Sequence, residues 1–104
     1  MVTTTLIEPQ NTLHLLAAAP RLWSTLIPEI LAVWQKDDLI FLLAEGAQGF
    51  NAKVLDQFNQ VAVLDSDLAR LEVANDAVSR HIKIATTTDW AKLTLQYQRT
   101  VTWR

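Results

Sequence analysis

Acid–base or nucleophilic chemistry in this chain could come from His14 and His81, a few serines and a few carboxylates, because the sequence contains no cysteine. That absence excludes disulfides, thiolate metal sites, iron–sulfur clusters and a thiol nucleophile. With only two histidines, a structural zinc site would need mainly carboxylate ligands, a rare donor set. His14 sits between Leu13 and Leu15 and could act as a general base near a strand end. The simpler reading is a histidine held by one backbone hydrogen bond at a crowded edge or interface. His81 follows Ser79-Arg80 and reads as solvent-facing. Ser24, Ser66 and Ser79 lack the flanking glycines of a nucleophile elbow, and no spacing ties them to a histidine. Asp65 and Asp67 could be catalytic carboxylates, but helix capping explains their position more simply. Asp37 and Asp38 read as solvated turn residues. The turn Glu45-Gly46-Ala47-Gln48-Gly49 could offer amides to an anion at a helix start. It holds the only two glycines of the chain, whereas the dinucleotide fingerprint needs three and a Walker loop needs Gly-Lys-Ser/Thr. It reads as a plain strand-to-helix turn. No catalytic set, metal site or cofactor site emerges.

The scaffold for these residues is small. A chain of 104 residues makes one domain, expected over residues 12–104 behind a flexible leader at 1–11. Half the residues are hydrophobic and 19% are charged, which excludes long disorder. Nine cations against eleven anions give a net charge of -2, and the cations are scattered. No basic stripe exists to neutralise a phosphate backbone, so direct nucleic-acid binding is not expected. No run approaches the roughly 20 apolar residues of a membrane span. Met1 to Pro20 has no Lys or Arg at its start and contains Glu8, so it reads as mature protein rather than a secretion signal. Absence of disulfides fits a reducing cytoplasm.

The order of elements follows from hydrophobic pattern. Thr12 to Leu16 reads as a short buried strand, followed by small residues and Pro20. From Arg21 to Trp34 apolar residues recur at helical spacing. Pro28 lies inside that pattern; either the helix kinks there or Pro28 occupies the first turn of a shorter helix. Leu39 to Leu43 runs apolar without alternation, as a strand covered on both faces would. Ala44 to Gly49 reads as a loop and Phe50 to Phe58 as a short helix. Val61 to Leu64 is a third strand, with Asp65-Ser66-Asp67 capping a helix over Leu68 to Leu71. His81 to Ile84 is a fourth strand. Thr86-Thr87-Thr88-Asp89 caps a last helix whose Trp90, Leu93 and Tyr97 share one face, and Val101 to Trp103 closes as an edge strand. Strands alternating with helices predict an α/β domain with a mainly parallel sheet of four to five strands, in a small Rossmann-like arrangement.

Four tryptophans exceed what one small core readily takes, since each ring is large and its N–H needs a partner. Some pack in the core; the rest are expected to anchor a protein interface, where Trp and Tyr are enriched. The interface candidates are His14, Trp23, Trp34, Trp90, Tyr97 and Trp103.

An ordered set of segments resembles the DsrH/TusB family of sulfur-relay subunits over roughly residues 12–103. It comprises Thr12-Leu13-His14 with Pro20 after it, Leu39 to Leu43 feeding Glu45-Gly46, and Asp67-Leu68-Ala69-Arg70-Leu71. Thr88-Asp89-Trp90-Ala91-Lys92-Leu93-Thr94 closing on Trp103 completes it. The resemblance implies a DsrE-like, three-layer α/β fold, no cofactor and a cytoplasmic protein. It implies assembly with TusC-like and TusD-like subunits into a heterohexamer holding a pair of each. That complex takes persulfide sulfur from a TusA-like donor and passes it to a TusE-like acceptor, for 2-thiolation of the tRNA wobble uridine. Related DsrEFH complexes serve bacterial sulfur oxidation, which is the alternative pathway. Persulfide relay needs a thiolate. The chain has none, and in the TusB branch the reactive cysteine belongs to the TusD subunit. The role implied here is therefore a non-catalytic subunit. Departures from the family pattern are the long leader, a lengthened first-helix region holding Pro28, and Leu71 at a position where glycine is common. A free-standing ligand-binding α/β domain, homo-oligomeric through its Trp surfaces, is the reading outside this family.

Overall fold

Apolar runs that ignore alternation become the middle of the sheet. The computed structural model describes residues 11–104, so the leader expected over 1–11 lies, but for Asn11, outside the described residues. Strands β1 (Thr12–Leu16), β2 (Leu39–Leu42) and β3 (Val61–Leu64) are buried at every residue. β4 (Ile82–Ala85) and β5 (Arg99–Trp103) are exposed at several positions because they form the two edges. The five strands are all parallel, in the order β4-β3-β2-β1-β5. This is the α/β fold anticipated, with five strands.

The helices are α1 (Trp23–Val33), α2 (Asp65–Arg70) and α3 (Thr87–Gln96). The chain steps outward from β1 to β4 through α1, a pair of 3-10 turns and α2. It then returns across the whole sheet through α3 to lay β5 beside β1. Right-handed crossovers put the outward connections on one face and the returning one on the other. The core divides accordingly. Trp23, Ile27 and Ile30 of α1 pack with Leu16, Ile40, Leu42, Val61 and Val63 on one face. Leu13, Leu15, Phe41, Ala62 and Leu64 face α3 on the other. The layers number three.

Several local expectations need correction. Pro28 lies within α1, so the helix continues through it. Pro20 opens a separate 3-10 turn, Pro20–Leu22, where a missing amide is harmless. Phe50 to Phe58 does not form an α-helix. Ala44–Gly49 and Lys53–Gln57 are 3-10 turns instead, tight enough to drop Ala47, Leu55 and Phe58 into the core. α2 begins at Asp65 rather than Leu68, and its N-terminus has no side-chain cap. The Asp67 carboxylate is turned away to other partners: Oδ2 accepts from the Ala44 amide at 2.7 Å and Oδ1 from Arg70 Nη2 at 2.7 Å. The cap on α3 does form, as a reciprocal box between Thr86 and Asp89.

Candidate functional site

The densest set of polar side chains lies at the amino-terminal half of β1. His14 and Asp38, separated by 24 positions, are both fully buried and joined by a 2.9 Å hydrogen bond from Nε2 to Oδ2. Asp38 is therefore no solvated turn residue. It closes the loop after α1, where its carboxylate accepts three donors: the Thr12 amide at 2.8 Å, the Gln35 amide at 3.0 Å and His14. The other ring nitrogen of His14, Nδ1, receives the indole N–H of Trp103 at 3.1 Å. Partners on both sides assign the tautomer: Nε2 carries the proton and gives it to the carboxylate, while Nδ1 is the acceptor. Trp34 stacks on the His14 ring at 5.3 Å and Trp103 at 6.1 Å, and Phe58 meets Trp34 edge-on at 4.8 Å.

This arrangement differs from the expectation in two ways. β1 is flanked by β2 and β5 rather than lying at an edge, and His14 is held by two side chains rather than by a backbone group. A histidine–carboxylate pair could orient a general base. Here the nitrogen that would accept a proton is closed by an indole, and neither residue is exposed. The pair acts as a three-way tie: β1 to the loop before β2 through Asp38, and β1 to β5 through Trp103.

The remaining candidates separate by burial. Trp23 is 4% exposed and its N–H donates to the Ala18 carbonyl at 2.9 Å, so it is packed in the chain's own core. Trp34, Trp90, Tyr97 and Trp103 are half-buried. Trp90 stacks on Phe41 at 6.1 Å, and among the described residues its buried N–H has no partner. Burial, then the negative charges of Asp38 and Asp37, pushes the Tyr97 phenol above its usual range. His81 is exposed, as expected.

The glycine turn is closed to anions by its own packing. The Gly46 amide already donates to the carbonyls of Ala17 and Leu43, and a Cβ there would strike the Leu16 carbonyl. Gly49 lies against the Trp23 ring, which leaves no room for a side chain. Where the sheet's connections diverge, beyond the carboxyl ends of β1 and β5, ligands commonly bind in α/β folds. The amides of Ala17 and Ala18 there both donate to the Trp103 carbonyl, at 2.9 and 3.2 Å. The usual crevice is stoppered by the chain's own strand.

Two larger concavities are open at the surface. One, of about 310 Å³, lies beneath α3 and is floored by Leu39, Ala62 and Ala85 with Lys83, Lys92 and Tyr97 at its rim. The other, of about 530 Å³, runs beside α1 between Trp23, Pro28, Leu31 and Val54 and has no charged lining residue. Among the described residues no group of three acidic or histidine side chains could hold a metal, and no helix is long and apolar enough to cross a membrane.

No family model matches the chain, and no curated protein matches it. Among solved structures, the crystal structure of the ychN protein from E. coli superposes with a TM-score of 0.70 at 14% identity, covering 91% of this chain and 100% of that one. At that identity the likeness establishes the fold: a three-layer α/β domain of the ychN kind, in agreement with the DsrE-like arrangement that the DsrH/TusB resemblance implies.

Proposed function

We propose that this chain is a non-catalytic structural subunit of a cytoplasmic sulfurtransferase assembly of the DsrH/TusB type, serving 2-thiolation of the tRNA wobble uridine. The observation that carries the reading is a thiol-free chain on this fold. In persulfide transfer a thiolate attacks the outer sulfur of a persulfide. The donor leaves as a thiolate and the acceptor becomes the persulfide, with no net oxidation. Serine and threonine oxygens do not perform that exchange, so the sulfur must ride on neighbours. TusC-like and TusD-like subunits would supply the carrier, between a TusA-like donor and a TusE-like acceptor. The half-buried Trp90 and Tyr97 on the α3 face, and Trp34 and Trp103 on the α1 face, would be presented to them. A DsrH-like role in bacterial sulfur oxidation is the alternative within the same family.

Co-expression with TusC-like and TusD-like proteins tests this directly. A single assembly on size-exclusion chromatography, which takes up sulfane sulfur only when the TusD-like cysteine is present, is the expected result. Separate elution of the three chains, or sulfur labelling of the purified chain alone, overturns it.

One observation favours a second reading, a small ligand-binding domain: the cavity beneath α3, lined by Lys83 and Lys92 together with the Asp89 carboxylate. A thermal-shift panel of small anions separates the two. Saturation at 100 times Kd adds about 2.7 kcal/mol, and absence of any shift retires the ligand reading.

A further inference from the structure

The two free edges of the sheet are built differently. β4 carries exposed Lys83 inside the strand and exposed Arg80 and His81 just before it, charges of the kind that discourage edge-to-edge pairing. β5 reads Arg99-Thr100-Val101-Thr102-Trp103, all of high β-propensity after its first residue, with no Pro or Lys. Its one-to-one register against β1, from Thr12–Arg99 to Leu16–Trp103, contains no bulge. Among the described residues none of the usual protections of an edge covers residues 100–103.

The backbone polarity of that edge is defined. A strand residue sends its N–H and C=O toward the same edge, and successive residues alternate. The Trp103 carbonyl accepts from the Ala17 and Ala18 amides on the β1 side. Arg99, Val101 and Trp103 therefore address β1, and Thr100 and Thr102 present their amides and carbonyls outward.

We infer that β5 pairs antiparallel with β5 of a second copy of this chain, about a two-fold axis at Val101. In that register Thr100 of each copy faces Thr102 of the other and exchanges both backbone hydrogen bonds with it. Their side chains form a Thr–Thr cross-strand pair, a favourable combination. On the opposite face Arg99, whose Nε donates to Thr12 Oγ1 at 3.1 Å and leaves its terminal nitrogens for another partner, lies across from the Trp103 ring of the second copy, a cation beside an indole that is half-exposed and already stacked on His14. The two Arg99 side chains fall at opposite ends and do not oppose one another. The strand is thus self-complementary under a closed two-fold, whereas joining β5 of one copy to β4 of the next would propagate without closing. The contact is smaller than the ~800 Å² per partner of a standard interface, so the dimer depends on concentration. The inference concerns this chain with itself, and it places in the seam Trp103, which the sulfur-relay reading offers to other subunits, so the test uses the purified chain alone.

The cysteine-free sequence provides the test. Two residues facing across a non-hydrogen-bonded antiparallel pair have Cα atoms about 4.5 Å apart, within disulfide reach. Full-length protein carrying Val101→Cys should cross-link under mild oxidation about tenfold faster than protein carrying Lys83→Cys on the other edge. Thr100→Pro removes only an outward amide, so it should leave the circular dichroism intact while abolishing dimer in sedimentation equilibrium. If Thr100→Pro unfolds the chain, the cross-linking comparison alone decides. Equal cross-linking rates at the two edges, a monomer at every concentration, or a dimer that survives Thr100→Pro in a folded chain each overturns the inference.

Discussion

The two faces of the sheet are covered to different depths. On the α1 face the helix buries Trp23, Ile27 and Ile30, the 3-10 turns add Ala47, Leu55 and Phe58, and each buried polar group there has partners. On the other face α3 lies alone and none of its own residues is buried. Beneath it the sheet presents small Ala62 and Ala85, an open cavity and an indole N–H without a partner among the described residues. On the first face contacts within the chain bury three residues of the helix, although an apolar concavity of about 530 Å³ remains beside it; on the second the helix buries none of its own. Substituting matched residues on the two faces is the way to test that division.

The largest effect belongs to Asp38. Removing its carboxylate by Asp38→Ala strands the Thr12 amide and the His14 N–H inside the buried site and leaves the Gln35 amide, nearer the surface, without its acceptor. Breaking a buried, hydrogen-bonded charged cluster from one side typically costs about 3–5 kcal/mol. That is a large part of a small domain's total of roughly 5–15 kcal/mol. The urea midpoint should fall accordingly, while Asp37→Ala, at the exposed neighbour, stays within about 0.5 kcal/mol of the parent. Equal midpoints for the two variants would dissolve the distinction.

A smaller loss is expected from Trp103→Phe. The ring remains to stack on His14, but the N–H that Nδ1 accepts is gone, leaving a buried lone pair unsatisfied. The expected cost is about 1–3 kcal/mol. Because this bond ties the last strand to the first, hydrogen exchange should quicken in β5 before it does in β2 or β3.

On the thin face, stability comes from the helix terminus rather than from burial. Thr86→Ala removes the oxygen that receives the Asp89 amide and should cost about 1 kcal/mol. The Asp89 carboxyl is held below its usual range first by the Thr86 backbone N–H and then by the Thr86 side chain, with Lys83 and Lys92 assisting. A lowered folded-state value means the contribution is present above the carboxyl's unfolded value, about pH 4, and is lost as pH falls through the folded value. The stability difference between the parent and Asp89→Asn should therefore shrink on acidification below pH ~4 and stay constant above it.

How much of this was legible in the sequence depends on the range of the contacts. The strands at Thr12–Leu16, Leu39–Leu42 and Val61–Leu64 are legible because burial on both faces leaves an unbroken apolar run. The α3 cap is legible because its partners, Thr86 and Asp89, are three residues apart. Asp38 is not: its polar setting in Lys36-Asp37-Asp38 looks solvated, and the groups that bury it lie 24 and 26 positions away. Trp103 reaches His14 across 89 positions. Ala44–Gly49, read as a loop, is a 3-10 turn in which Gly46 and Gly49 meet tertiary demands, the Leu16 carbonyl and the Trp23 ring; the helix expected over Phe50 to Phe58 is instead a 3-10 turn at Lys53–Gln57 that carries Leu55 and Phe58 into the core. Of the site candidates, burial inside the chain claims His14 and Trp23, an outcome that no local pattern distinguishes from exposure.

The smallest effect gives the sharpest comparison, because it repeats one substitution on the opposite face. Trp90→Phe removes an N–H that has no partner among the described residues, so no hydrogen bond is lost and the burden of a buried, unsatisfied donor is lifted. Against that gain stands the lost contact area of the larger ring over Phe41. The two terms oppose one another, and the net change should lie within about 1 kcal/mol of zero. In a bound assembly the sign should change: if a neighbour supplies the acceptor that Trp90 lacks, Trp90→Phe weakens association while leaving the isolated chain's stability nearly unaltered. Paired denaturation curves for Trp90→Phe and Trp103→Phe check the first half of this, and pull-down by TusC-like and TusD-like proteins checks the second. An isolated Trp90→Phe chain that loses as much stability as Trp103→Phe would show that α3 closes its face as firmly as α1 does.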